Sequence, residues 1–409
     1  MMTMADTETR TLERCHDPYL RCAFYGAAQT ALGVKGCCVI AHSPQGCYSL
    51  VNAAFGWQDA DYTETVIMST KLCEDEIVHG GEDVRPQVNF EIVPIRAPGF
   101  KGDQNDGIDI ALEALLKKLV PVEQLKIQGG IYLIAPHANS NPTWMGDLNW
   151  VNGILNQMGV KNVINLTHNT SLSDFQNVAS ADGCIVLSHD AGQKAADFLN
   201  SKYGIKQLCR DLPLPIGFTN TRRWLLELGN KLDTKSIAQK IADEGEKMVV
   251  EKCRRKGLEQ FFMHRASAAI VADATVGIPL LHFIAEDLEM VPKLVCLRSC
   301  LPEAKGILER ELKELNFNPK VILHADVYKS KMLLAEVRPE IVFGSNIERH
   351  AVEELDIPFV FRIANPISRF RTIDREYFGY TGMLNLIETI HNDWFDRYRS
   401  KERRYKARW

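Results

Sequence analysis

From about residue 130 onward the chain repeats one unit: a short, unbroken apolar run followed by an amphipathic stretch of helical period. The runs fall at residues 130–135, 163–166, 184–188, 268–272, 294–297, 321–323, 341–343 and 359–361. A strand with one face in water alternates apolar and polar residues. These runs do not alternate, so both faces of each strand must be covered. The intervening helices can do that covering, which predicts an α/β fold with parallel sheets. Helices are expected over 191–203, ended by Gly204 where a left-handed residue stops a helix, and over 279–288 and 330–337. A long charged helix over roughly 234–256 divides the strands into two sets.

Each set reads as a Rossmann-like unit, but the phosphate-cradling loops are missing. No G-x-G-x-x-G follows the first strand of the second unit, and G-x-x-x-x-G-K-S/T occurs nowhere. The chain itself is therefore not expected to bind NAD or ATP. At about 150 residues per domain, 409 residues predict two or three domains. The first ~120 residues give weaker strand signals. Their clearest element is a stripe of Ile108, Ala111, Leu112, Leu115, Leu116 and Leu119, a core-facing helix for which Asp106 is the expected cap.

The 48 basic and 52 acidic side chains give a net charge of -4, which excludes nucleic-acid binding driven by bulk positive charge. No apolar run reaches the roughly 18–20 residues of a membrane span. Residues 1–14 lack the apolar core of a signal peptide, so a cytoplasmic location is expected. The eleven cysteines form no secreted-type framework and read as cytosolic thiols, some of them candidate metal ligands.

Six of them, at 15, 22, 37, 38, 47 and 73, match neither the C-x2-C pairs of zinc sites nor a ferredoxin run. Cys22 stands in R-C-A-F-Y-G-A and Cys47 in H-S-P-Q-G-C. Small residues beside a thiolate let backbone approach a bulky cluster and offer N–H donors to its sulfurs. Cys37 and Cys38, in G-C-C-V-I, are expected to be buried structural thiols.

The two flanks, Cys22 to Gly33 and His42 to Cys47, resemble the cluster-binding start of nitrogenase component 1 subunits, nearest to the β type. Further elements follow in family order: Gly80-Gly81-Glu82, then Pro98 to Asp103, then Leu214 to Gly217 with Thr219 and Thr221. Glu348-Arg349, Ile357-Pro358, Pro366-Ile367 and Gly379-Tyr380-Thr381-Gly382 complete the series. The resemblance implies three Rossmann-like domains with mostly parallel sheets covered by helices, placed at 1–125, 126–232 and 233–409. It implies an α-type partner, with α2β2 assembly, and a homodimeric iron protein that alone uses ATP. It also implies an iron–sulfur cluster at the subunit interface, of the P-cluster-like eight-iron or the 4Fe–4S type, with Cys22 and Cys47 as thiolate ligands.

Three departures qualify what the resemblance implies. The family's third cysteine, in S-x-x-C before a G-D-D turn, has no counterpart between Glu82 and Pro98, where a segment is missing. The remaining ligand would come from a partner or from Cys73, unless the cluster is smaller. No histidine lies at 361–367, where the α type grips its catalytic cofactor; His350 and His391 read as surface or packing residues. The chain is also short for a dinitrogenase β subunit. That points to nitrogenase-like reductases, such as those cleaving the C–S bonds of methylthio-alkanes, with a cofactor-assembly scaffold or a homodimeric tetrapyrrole reductase as alternatives. Two further features have bland readings beside sharper ones. The basic tail 401–409 is a solvated helix end or a partner-docking segment anchored by Trp394, Tyr398, Tyr405 and Trp409. His137, Asn139, Ser140 and Asn141 follow a strand at its carboxyl end and are either a ligand site or a polar loop.

Overall fold

The computed structural model describes residues 21–55, 66–70, 92–99, 101–121, 129–136, 141–166, 168–178, 181–256, 264–364 and 373–402. Its elements in chain order begin with α1 (Ala23–Leu32), β1 (Cys38–His42), α2 (Gln45–Phe55), β2 (Val66–Thr70) and α3 (Gln104–Leu119). The second group is β3 (Gly130–Ile134), α4 (Trp144–Gln157), β4 (Asn162–Leu166), α5 (Leu172–Gln176), β5 (Gly183–Val186), α6 (Gln193–Tyr203), β6 (Lys206–Gln207) and α7 (Phe218–Lys231). After α8 (Lys235–Arg255) come β7 (Ser267–Ala272), α9 (Ala274–Gly277), α10 (Leu280–His282) and a π-helical turn at Phe283–Asp287. The last group is β8 (Val291–Leu297), α11 (Pro302–Glu314), β9 (Lys320–Leu323), α12 (Val327–Val337), β10 (Ile341–Gly344), α13 (Asn346–Glu354), β11 (Phe359–Arg362) and α14 (Gly379–Glu402).

The strands form three parallel sheets, ordered β1-β2, β4-β3-β5-β6 and β11-β10-β7-β8-β9. The eight apolar runs all became strands, and the reason is visible in how they are buried. Along β3, Ile131 and Leu133 enter one core while Tyr132 and Ile134 enter another; along β7, Ala268 and Ile270 face one way and Ala269 and Val271 the other. Each strand is apolar throughout because it supplies two cores. In the five-stranded sheet the order reverses between β7 and β10, and in the four-stranded sheet between β3 and β5. Such reversals open a crevice beyond the strand ends, where open α/β sheets bind ligands.

The stripe from Ile108 to Leu116 on α3 packs on the four-stranded sheet with Tyr132, Ile134 and Cys184. Its cap differs from the sequence expectation. Asp103 is the N-cap, accepting the N–H of Asn105 (2.9 Å) and Asp106 (3.0 Å). Asp106 returns the bond to Asp103 N–H at 2.9 Å, so it is the third residue of a capping box. The charged helix runs as expected, with Thr234 and Lys256 as its caps, and Gly204 ends α6 in the left-handed conformation. Among the described residues no helix is long and apolar enough to cross a membrane.

Candidate functional site: a thiol pair beside a closed crevice

Cys22 is the N-cap of α1 in extended backbone (φ −112°, ψ 171°), its carbonyl accepting the N–H of Tyr25 at 3.1 Å and of Gly26 at 3.3 Å. Cys47 lies in the first turn of α2 and donates its N–H to the Pro44 carbonyl at 3.0 Å. Both thiols are half-buried. Burial, and after it the charge of Cys22, push the Cys47 thiol above its ordinary value. The charge of Cys22 therefore reaches Cys47, which puts the two thiols in one neighbourhood. Soft anionic donors at two helix N-termini fit part of the ligand shell of an iron–sulfur cluster. A side chain added at Gly46 would meet nothing, so the space beside Cys47 is open.

The start of α1 is fixed from a distant part of the chain. Ala23 donates its N–H to the Lys101 carbonyl at 3.1 Å, in the loop that leads to the Asp103 cap. Gly26 was expected to let backbone approach a cluster; instead it admits α3, since a Cβ there would collide with the Gln104 carbonyl. Gly107 is its counterpart, where a Cβ would strike the Ala23 carbonyl. A second expectation also fails. Cys37 and Cys38 are exposed, because β1 turns Cys38 and Ile40 outward while Val39 and Ala41 face inward. Cys15 and Cys73 lie outside the described residues.

The crevice at the sheet reversals is filled by the chain's own polar groups, drawn from three regions. Asp190, after β5, accepts Ser299 Oγ (2.5 Å), Thr275 Oγ1 (2.5 Å) and the backbone N–H of Ala274 (3.1 Å) and Thr275 (2.8 Å). Ser299 Oγ also lies 3.3 Å from Asp273 Oδ1 and receives Asn105 Nδ2 of α3 at 3.4 Å. Burial and the neighbouring Asp190 raise the Asp273 carboxyl well above the carboxylate range, and its Oδ2 accepts no hydrogen bond. Arg298 donates to Glu348 at 2.5 Å, with both side chains buried. Glu348 in turn accepts the N–H (2.8 Å) and Oγ (2.6 Å) of Ser345.

Apart from Glu348, which stands in one of the family elements, these residues escaped the sequence reading. The signal available was polar residues placed immediately after apolar runs: Ser188-His189-Asp190, Asp273, Arg298-Ser299 and the Ser345-x-x-Glu348 capping box. Of the loop after β3, residues 137–140 lie outside the described set. Asn141 is buried and accepts from Thr143, and it belongs to a structural cluster around Asp147. His350 is exposed on α13, while His391 is half-buried with Nδ1 2.8 Å from the Ile387 carbonyl. Trp394 packs at the edge of the main core against the exposed Phe395, and residues 403–409 lie outside the described set. Two of the sequence elements meet: Gly379 donates its N–H to the Pro215 carbonyl at 2.7 Å, and Thr221 Oγ1 donates to the same oxygen at 3.1 Å.

Known proteins are similar to this chain in sequence and fold. The family model described as nitrogenase component 1 type oxidoreductase matches residues 22–86 and 82–395. The match divides at the place where the sequence reading finds a segment missing. The nitrogenase molybdenum-iron protein beta chain of Methanococcus maripaludis is 24% identical over 97% of this chain and 98% of its own length. The nitrogenase iron-iron protein beta chain of Rhodobacter capsulatus is 24% identical over 93% of this chain and 94% of its own. A subunit of the light-independent protochlorophyllide reductase of Roseiflexus sp. (strain RS-1) is 27% identical over 60% of this chain and 46% of its own. Among solved structures, "Nitrogenase Cp1 at pH 6.5" superposes with a TM-score of 0.75 at 18% identity, covering 96% of each chain, a likeness of fold.

Proposed function

The chain belongs to the nitrogenase component 1 type oxidoreductases, on their β-type branch, and on that premise we propose that it is the electron-relay subunit of a nitrogenase-like reductase. Cys22 and Cys47 would hold an interface iron–sulfur cluster shared with an α-type partner, in an α2β2 assembly. A homodimeric ATP-dependent iron protein would supply the electrons. The observation that carries this reading is the convergence of the two thiols at the N-termini of α1 and α2, beside open space.

Bound there, a cluster supplies one-electron redox chemistry. The chain's own part is to present two thiolates, with the start of α1 held to Lys101 so that Cys22 keeps its place. Parallel sheets are normally covered on both faces, yet Cys38, Ile40 and Met68 of the small sheet are exposed next to this site. That exposure supports a partner chain lying over it. The crevice closed by Asp190, Asp273, Arg298 and Glu348 supports a subunit that leaves the substrate to its partner. Reductive cleavage of methylthio-alkane C–S bonds is the proposed overall reaction. The test is to purify the complex carrying Cys22→Ala or Cys47→Ala. Iron content and the interface cluster's EPR signal should fall in both, and full retention would sink the assignment.

A second reading, a scaffold for cofactor assembly, is favoured by the missing third-cysteine segment, where the family match divides. Turnover by the purified complex with iron protein and ATP separates the two, since a scaffold gives none.

A further inference from the structure

One side chain beside the thiols stands in a backbone conformation that its type rarely adopts. Arg21, immediately before Cys22, has a φ of 57°, in the left-handed region. Its guanidinium lies over the ring of Tyr25, with Cζ 5.2 Å from the centroid, a cation–π contact. Tyr25 is 1% exposed, and its N–H donates to the Cys22 carbonyl at 3.1 Å. Cys22 packs at the edge of the same small core as Tyr25, together with Val39 and Ile67. We infer that Arg21 is a fixed positive charge that raises the reduction potential of the cluster held by Cys22 and Cys47, an inference that rests on the function proposed above.

Tyr25 lies three residues along α1 from its N-cap, so the ring holds the charge within about one helical turn of Cys22. Reduction adds an electron to the cluster, and a neighbouring cation stabilises the added negative charge. Arginine suits that task because its guanidinium keeps its charge at every pH at which a protein stays folded. Stacking on Tyr25 fixes where the charge sits. A cation free in solvent would instead be screened and spread over many rotamers. The core beneath, formed by Tyr25, Ala28, Leu32 and Val51, is apolar, so little in it weakens the field. Glycine or asparagine would meet the left-handed backbone at lower cost, and the contact with Tyr25 offsets that cost for Arg21.

The experiment is a redox titration of the purified complex, wild type against Arg21→Asn, Arg21→Gln and Arg21→Lys, followed by the interface cluster's EPR signal. Asparagine removes the charge and accepts the left-handed backbone. Arg21 is half-buried and precedes α1, so the neutral variants keep the fold. Both should bind as much iron as wild type and show a lower midpoint. At fixed ambient potential their oxidised-to-reduced ratio should rise about tenfold, a shift of about 59 mV for one electron. Arg21→Lys, which keeps a cation for the ring, should stay within about threefold of wild type. An unchanged midpoint in Arg21→Asn at equal iron content overturns the proposal. Loss of iron from both neutral variants overturns it as well, since Arg21 is then a structural anchor. Absence of the signal from wild type itself would instead overturn the cluster assignment on which the proposal rests.

Discussion

Gly26 of α1 and Gly107 of α3 stand at one helix crossing, each against the other helix's backbone: Gly26 against the Gln104 carbonyl, Gly107 against that of Ala23. A methyl group at either position forces the helices apart and shifts the start of α1, which carries Cys22. Gly26→Ala or Gly107→Ala should cost about 1–3 kcal/mol by overpacking. Iron content should fall with stability, although neither residue is a ligand. Thermal melting and iron analysis of the purified variants check this.

The carboxyl pair at the sheet reversals should respond unequally to substitution. Asp190→Ala removes the acceptor of the Thr275 N–H and takes the shorter bond from the Ala274 N–H and from two hydroxyls, all buried, which keep only the Ser299 carbonyl (3.2 Å), Asp273 Oδ1 (3.3 Å) and Ser188 Oγ (2.9 Å). Each unsatisfied group costs about 1–3 kcal/mol, so the variant should be strongly destabilised in denaturant titration. Asp273→Asn replaces a carboxyl already biased toward its neutral form and should cost well under half as much.

Arg298 and Glu348 form a buried ion pair, with side chains 0% and 2% exposed. Removing one partner leaves an uncompensated buried charge, so Arg298→Met should cost about 3–5 kcal/mol. Arg298→Met with Glu348→Gln should recover much of that loss, because no isolated charge remains. A double-mutant cycle of unfolding free energies measures the difference.

Asp147 ties α4 to the segment before α14, accepting the N–H of Tyr377 (2.7 Å) and Phe378 (3.0 Å). Burial raises its carboxyl to about 7, against the opposing hydrogen bonds from Thr143, Tyr377, Phe378 and Asn141. A carboxyl that holds its proton more tightly when folded stabilises most below its unfolded value, near 3.9. That contribution is lost as pH rises through the folded value near 7. Wild type relative to Asp147→Asn should therefore lose on the order of 1–4 kcal/mol between pH 4 and pH 8, read from denaturation midpoints at each pH.

Cys37 and Cys38 offer a contrast with Cys22 and Cys47, the proposed cluster ligands. Both are exposed, so alanine at either should change stability by less than about 0.5 kcal/mol. Iodoacetamide should modify them in the isolated chain far faster than buried Cys184 and Cys296, whose thiols burial raises to about 12. Mass spectrometry of the labelled chain gives the order.

The sequence by itself determined the α/β class and the positions of eight strands, because a residue that faces a core on either side of a sheet must be apolar wherever it falls. It also marked the helix ends at Gly204 and around residues 234–256, where local chemistry suffices, and it brought out Cys22 and Cys47 through their flanks. The burial of Cys37 and Cys38 was misread, since an apolar run does not say whether a neighbouring layer exists to cover it. Only the tertiary structure decided that Gly26 serves a helix crossing, that Asp103 caps α3, and that the crevice is closed. Asn105, Asp190, Asp273, Ser299, Arg298 and Glu348 are scattered over 244 positions of sequence. They meet because two sheets turn their carboxyl ends toward each other, with α3 against them. Contacts of that kind depend on how layers pack, and no local pattern of residues encodes them.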